Sequence, residues 1–315
     1  MNPAYSVIFF TTASGAGYGA VVWLVVLALI GIVPLTPALG LSVFAVSLAL
    51  ITAGLLSSTF HLGHPERAWR ALSQWRSSWL SREGIAAIAT YVPILVFAIG
   101  SLLFAAQSFI WIWAGMIAAG LCLVTVACTG MIYASLRAIP YWYTPLVMPL
   151  YIGFSLSTGA VLLIAIASIF WVTPGVLAWI AAVVTLATWS AKMVYWRQID
   201  SASPVATAET ATGLGDLGAV RLLESPHSSE NFVMREMGYT IARKHAKRLR
   251  KIALLVGGAL TAAALVVAGI LPAPLATCAS FAALIATAVG TLVERWLFFA
   301  EARHASSLYY GATEV

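Results

Sequence analysis

Charge is what this chain has least of: its 315 residues include 17 Lys and Arg and 11 Asp and Glu, 9% in all, against 61% hydrophobic residues. That scarcity, with apolar runs exceeding the roughly 20 residues a spanning helix needs, excludes a soluble globule and defines an integral membrane protein. Cysteine is scarce too. Cys122, Cys128 and Cys278 fall inside apolar runs and form no C-x-x-C pair, which excludes a cluster cradle or zinc site and leaves small packing residues. No basic cluster or small-residue cleavage pattern accompanies Met1-Asn2-Pro3-Ala4-Tyr5, so the first apolar run is expected to be a retained helix. Without a nucleophile triad, metal motif or phosphate loop, catalysis on a soluble substrate by this chain alone is not expected. The run Gly15-x-Gly17-x-Gly19-Ala20 has the look of a dinucleotide loop but follows no strand. Gly15 and Gly19, four apart on one helix face, are instead expected to let a neighbouring helix approach closely.

What is present is a series of apolar runs, predicted to span at 8–33, 38–59, 84–106, 109–133, 146–170, 174–196, 252–271 and 274–299. The fold class is therefore all-α, an integral membrane bundle of eight transmembrane helices. Lys and Arg are assigned four to the connection between spans two and three, one between four and five, ten between six and seven, and two after span eight. The other four connections hold none. In an even-numbered bundle the charged regions share a side with the N-terminus, and the positive-inside rule makes that side, and both termini, cytoplasmic. Residues 1–315 read as a single transmembrane domain, within which 197–251 form a long cytoplasmic loop. The pI near 9.4 then reflects basic inner loops, and a nucleic-acid partner is rejected.

The connection most loaded with chemistry runs Ser58-Thr59-Phe60-His61-Leu62-Gly63-His64-Pro65-Glu66-Arg67-Ala68-Trp69-Arg70 and on to Ser78-Trp79-Leu80-Ser81-Arg82-Glu83-Gly84. His61 ends span two and Glu83 opens span three, so a hairpin is expected to bring both to the rim of one pocket. An imidazole that titrates near neutrality and a partly desolvated carboxylate can together exchange protons with a carbonyl or hydroxyl, which suits a redox ligand that takes up protons. The plainer reading of Arg67, Arg70 and Trp69 is headgroup snorkelling. His64 is a weaker candidate, since Pro65 places it in the loop.

These residues also resemble a known family. The run His61-Leu-Gly-x-Pro-x-Arg67-Ala, then Leu80-Ser81-x-Glu83, Pro140-x-Trp142-Tyr143-x-Pro145 and the closing Glu294-Arg295-Trp-Leu-Phe-Phe-Ala-Glu-Ala-Arg303-His304 resemble the DMSO reductase anchor subunit family. Thr212-Gly213-Leu214-Gly215 and Val220-Arg-Leu-Leu-Glu-Ser-Pro-His227 look most like the anchors of cytoplasmic sulfite dehydrogenase complexes. The resemblance implies an eight-helix anchor that holds a molybdopterin catalytic subunit and an iron–sulfur subunit on the membrane. It implies electron exchange with a quinone, ubiquinone or menaquinone, as an exchangeable substrate. No haem is implied, and molybdopterin and iron–sulfur clusters would belong to the partners alone. It also carries quinone-binding roles onto His61, Glu83 and, less specifically, Arg67. The inner-face charge bias agrees with partners on the cytoplasmic face of a bacterial inner membrane.

Further pocket candidates are Tyr133 and Arg137, four apart at the inner end of span four, and Trp142 beyond Pro140. Glu294 and Arg295 lie deeper in the last span, where each must be paired or face a polar cavity; as helix neighbours they are expected to pair with other helices rather than with each other. Arg303 and His304 follow at the interface. Residues 201–230 are expected to be loop that orders only against another chain, and 232–251 a basic helix running into span seven, open to anionic lipid or an acidic patch on the iron–sulfur partner. Competing functions are the anchor of a quinol-oxidising reductase, a passive anchor, or a secondary transporter. The last is disfavoured because, apart from Glu294 and Arg295, the span middles are read as holding no ionisable residue.

Overall fold

The computed structural model describes residues 2–33, 35–103, 109–170, 175–224, 229 and 241–315, with all their side chains but those of His61, Leu103, Ile241, Ala242, Arg243 and Lys244. Eight of its helices are long and apolar enough to cross a membrane. They are α1 (Tyr5–Leu29), α2 (Pro37–Ser57), α3 (Trp79–Leu103), α4 (Phe109–Ala134), α5 (Val147–Ile169) and α6 (Gly175–Ser201). A continuous rod α7, built from Ile241–Ala253, Leu254–Leu260 and Thr261–Ile270, and α8 (Ala273–Ala300) complete the set. Among the described residues there is no strand beyond one isolated bridge, Thr207 with Glu314.

Local chemistry sets the boundaries. Pro37 occupies the first turn of α2, where its missing N–H costs nothing, and the Thr36 hydroxyl accepts from the Leu39 N–H at 3.3 Å to cap it. Leu254–Leu260 of α7 is wound as a π-helix at the place where it packs between Trp189 of α6 and α8. Apolar side chains such as Ile88, Val92, Leu95 and Ile99 of α3 are exposed, a surface that lipid solvates without cost.

The helices close into two consecutive four-helix rings. In the first, α1 packs on α2 and α4 while α3 packs on both of those; in the second, α5 packs on α6 and α8 while α7 does the same. Both rings begin with a helix running in the same direction, and α1 and α5 are the seam between them, with 61% and 78% of their apolar windows buried. The expected close approach at Gly19 is this seam. A methyl group there would overlap the Ser155 carbonyl, and one at Gly159 would overlap the backbone of Gly19. The Ser155 hydroxyl donates to Gly15 O at 2.7 Å and the Trp23 indole to Leu156 O at 2.8 Å across it. Gly17 faces α2 instead.

Between Met1 and Pro65, Gly84 and Leu136, Ala138 and Ala191, and Ile252 and Val293 the chain carries no charged residue, so all charge gathers at one end of the bundle. Of the cations counted to connections, two are buried within spans. Lys192 lies within α6, which runs on to Ser201, and Arg295 lies within α8. Helix α3 likewise begins a turn earlier than expected, so Glu83 stands inside it rather than opening it.

At the charged end, Pro65–Gln74 forms a 3-10 helix along the α2–α3 connection, with Leu72 resting where a Cβ of Gly84 would sit. The segment after α6, expected to order only against another chain, is organised by this chain itself as far as it is described. Thr207 and Thr210 form a capping box on the short helix Ala208–Thr212, which Gly213 ends at φ 69°. Val205 and Ala206 pair with Val315, the Ala208 N–H donates to Thr313 O, and Ala305 N donates to Ala138 O at 2.8 Å. Residues 232–240 of the expected basic helix lie outside the described residues; from Ile241 onward it is helical and continuous with α7.

Candidate functional site

Glu83 is 4% exposed, on the inward face of α3. The Thr129 hydroxyl of α4 donates to its carboxylate Oε1, and below this pair the Thr90 and Thr125 hydroxyls lie 3.3 Å apart. Glu83 and Thr90 are seven apart, as two helical turns require, so α3 and α4 are stitched by a two-rung polar ladder in otherwise apolar packing. Thr129 also lines a polar cavity of about 20 Å³ enclosed by α1, α4, α5 and α8, room for about one water. On its far side are Tyr151, Thr291 and Arg295. The Thr291 hydroxyl is buried and has no hydrogen-bond partner among the described residues.

Beyond the cavity wall lies an ionic triad. Lys192, 1% exposed, places Nζ 2.6 Å from Glu294 Oε1, and Arg295 Nε stands 3.1 Å from Glu294 Oε2. The expectation that Glu294 and Arg295 would each pair only with another helix is corrected. Both side chains are long enough to fold toward the same side, and the second partner of Glu294 is the lysine of α6. Aromatic faces complete the solvation: Lys192 Nζ lies 4.1 Å from the Tyr195 ring centre and Arg295 Cζ 4.0 Å from that of Tyr151. With all three groups ionised the site carries a net charge of +1.

Tyr133 and Trp142 join this same assembly. Tyr133 stacks on Tyr151 at 5.6 Å, while Trp142 stacks on Phe298 at 5.5 Å and donates its indole N–H to Phe298 O at 2.9 Å. Arg137 does not join it. Helix α4 ends at Ala134 and the chain turns toward Pro140, so Arg137 is off the helix face of Tyr133, exposed, with its guanidinium 5.9 Å from the Tyr143 ring.

The α2–α3 connection divides. The backbone of His61 closes the 3-10 turn Ser58–His61 at the inner end of α2, but its side chain lies outside the described residues. Arg67 is exposed with Nε 3.6 Å from Glu66 Oε1, and the same carboxylate meets His64 Nδ1 at 3.1 Å. Arg70 lies over Trp69 at 5.6 Å. None of these three reaches Glu83. His304 caps the 3-10 helix Ala305–Tyr310 by accepting from Ser306 N, and Arg303 lines a groove with Asp200 and Glu314.

At the mouth of the charged end, Arg250 bridges Asp200 Oδ2 at 2.6 Å and Glu301 Oε1 at 2.9 Å. Burial pushes the Glu301 carboxyl above the usual range, and the guanidinium of Arg250 pulls it partly back. Sequence reasoning missed Lys192 and Thr129. The signals were available: an acid as deep as Glu294 demands a cation on a facing helix, and Lys192 is followed by Tyr195, Trp196 and Arg197, the interfacial set that marks where a span ends.

The geometry is that of a multi-pass helical membrane protein with its polar chemistry confined to one end. Residues 1–217 match the model of the family described as DMSO reductase anchor subunit (DmsC). The chain is also 33% identical, over 98% of its own length and 99% of the relative's, to the sulfite dehydrogenase subunit designated C in Allochromatium vinosum. It belongs to the DMSO reductase anchor subunit family. No solved structure matches it.

Proposed function

We propose that this chain is the quinone-reactive anchor of a molybdopterin and iron–sulfur oxidoreductase, carrying electrons from cytoplasmic sulfite oxidation into the quinone pool of a bacterial inner membrane. Family membership and the full-length likeness to a sulfite dehydrogenase subunit support the complex. The concentration of basic residues at one end supports a cytoplasmic face for the partners. Exposed Leu217, at 86%, and Leu223, at 89%, on that same end are apolar surface for a partner to cover.

The observation that carries the quinone reading is Glu83: a buried carboxylate one turn inside α3, tied to the Thr129 hydroxyl, which itself lines a polar cavity. A carboxyl there can give a proton to a reduced carbonyl oxygen and take one from a hydroxyl, and His61 at the end of α2 supplies a second exchanging group. Electron tunnelling falls steeply with distance, so a ring bound at this end, beneath a docked iron–sulfur partner, is where transfer is fast.

The test uses the assembled complex. Glu83→Gln and His61→Ala are expected to abolish reduction of a short-chain quinone by sulfite while leaving reduction of a soluble dye by sulfite intact. Assembly with quinone reduction at the wild-type rate in both variants refutes the reading and leaves a passive anchor.

A further inference from the structure

We propose that the buried ionic row running from Glu301 through Lys192, Glu294 and Arg295 to the cavity beside Thr129 and Glu83 supplies the protons of quinone reduction, drawn from the face that bears Asp200 and Arg250. The inference rests on the quinone reading of Glu83.

The row leads from the surface toward the cavity, joined by ion pairs at every step but that from Glu301 to Lys192. Asp200 is 56% exposed and holds Arg250 at 2.6 Å; Arg250 holds Glu301 at 2.9 Å. Glu301, the residue that caps α8, lies two turns beyond Glu294, about 10.5 Å along the axis. Lys192 contacts Glu294 at 2.6 Å, and among the described residues no ion pair joins it to Glu301. Arg295, against the other oxygen of Glu294, forms the cavity wall, and Thr129 across the cavity donates to Glu83. The cavity accommodates one water, for which the unpartnered Thr291 hydroxyl is a ready ligand.

A purely structural ion pair needs one cation per carboxylate. Here one carboxylate holds two cations in a lipid-embedded core, an arrangement costly enough to call for a function. The row also stops. Toward the opposite face no charged side chain occurs in any helix, so protons on ionisable groups can reach the cavity from the charged end alone.

Each quinone takes two electrons from the iron–sulfur partner and two protons. A proton leaves Lys192 as its N–H breaks and an O–H forms on Glu294; it passes beside Arg295 to the cavity water, and the Thr129 hydroxyl takes it while giving its own proton to Glu83, which protonates the quinone oxygen. Lys192 is refilled from Glu301, and Glu301 from solvent at Asp200. Arg250 and Arg295 keep their protons and position the carboxylates.

The experiment places the assembled complex in proteoliposomes with sulfite as donor and a short-chain quinone as acceptor. Glu301→Gln is expected to slow quinone reduction about a hundredfold, the low end for a positioned proton carrier. A solvent deuterium isotope effect should appear on the rate, with dye reduction by sulfite unchanged, and Glu301→Asp should recover part of the rate. A membrane-impermeant pH dye should report uptake on the side of the docked partners. If Glu301→Gln does not assemble, Asp200→Asn, altered at an exposed carboxylate, is read in the same way. Wild-type rate and isotope effect in these variants, or uptake from the opposite side, overturns the proposal. Loss of quinone reduction in Glu83→Gln alongside unaltered Glu301 variants sinks only the route; retention in Glu83→Gln sinks the quinone reading beneath it.

Discussion

Glu294→Gln isolates the electrostatics of the triad, because the amide has the size and shape of the carboxylate and leaves the packing untouched. Glu294 alone opposes two cations, with Lys192 Nζ at 2.6 Å and Arg295 Nε at 3.1 Å, all three nearly fully buried. Its neutralisation leaves a net +2 in the site, and breaking a buried pair in this way costs about 3–5 kcal/mol. Lys192→Met is the counterpart. It leaves Glu294 paired with Arg295, takes the site from +1 to neutral, and puts an apolar chain of similar length against Tyr195, so the loss is about 1 kcal/mol or less. The double variant removes one of the two stranded cations and should recover about 1–3 kcal/mol of the Glu294→Gln loss. Thermal unfolding of the detergent-solubilised chain reads all three, with Glu294→Gln lower than Lys192→Met by an amount on the order of 10 °C. A Glu294→Gln protein that melts no lower than Lys192→Met refutes the charge accounting.

Gly19→Leu should drive α1 from α5, because even a methyl group overlaps Ser155, whereas Gly120→Leu meets open space and should be silent; size-exclusion profiles in detergent separate the two. Trp142→Phe keeps the stack on Phe298 but strands the Phe298 carbonyl, at a cost of about 1–2 kcal/mol in thermal unfolding. Glu209 is held below the usual carboxylate range by hydrogen bonds from its own backbone N–H, from Thr207 and from Val220. Its depressed value means that the order it lends to residues 209–220 is present above the ordinary glutamate range and lost as pH falls through the folded value. Amide exchange at Val220 should quicken there beyond its intrinsic pH dependence, and Glu209→Gln should remove the step.

The eight spans were legible because bilayer thickness imposes a length that no soluble element shares, and Gly15 and Gly19 announced a crossing because small residues at a spacing of four have few other uses in lipid. Span ends were harder to read. Apolar composition says where a helix is solvated by lipid, not where its hydrogen bonding stops, so α3 began nearer the charged end than expected and carried Glu83 indoors, while Lys192, inside the expected span 174–196, had been counted to the connection after it. Pairing was least legible. Adjacent Glu294 and Arg295 point apart by helix geometry, yet two flexible side chains in an apolar medium have nowhere better to turn than toward each other. Arg137 failed for the opposite reason: its spacing from Tyr133 was helical, but the helix ends at Ala134, before Arg137 is reached.

Helix α1 emerges from the ribosome before the other seven, and its seam partner α5 begins some 140 residues later, at Val147. It must therefore wait in lipid with a face destined for another helix. Two of its hydroxyls are suited to the delay: Thr11 and Ser14 donate to Ile8 O and Phe10 O within their own helix, so neither is stranded before α5 arrives. The seam bonds that come later, from Ser155 and Trp23, use backbone carbonyls already engaged in the helix. Insertion can proceed one ring at a time, the second closing onto a first that is already at rest.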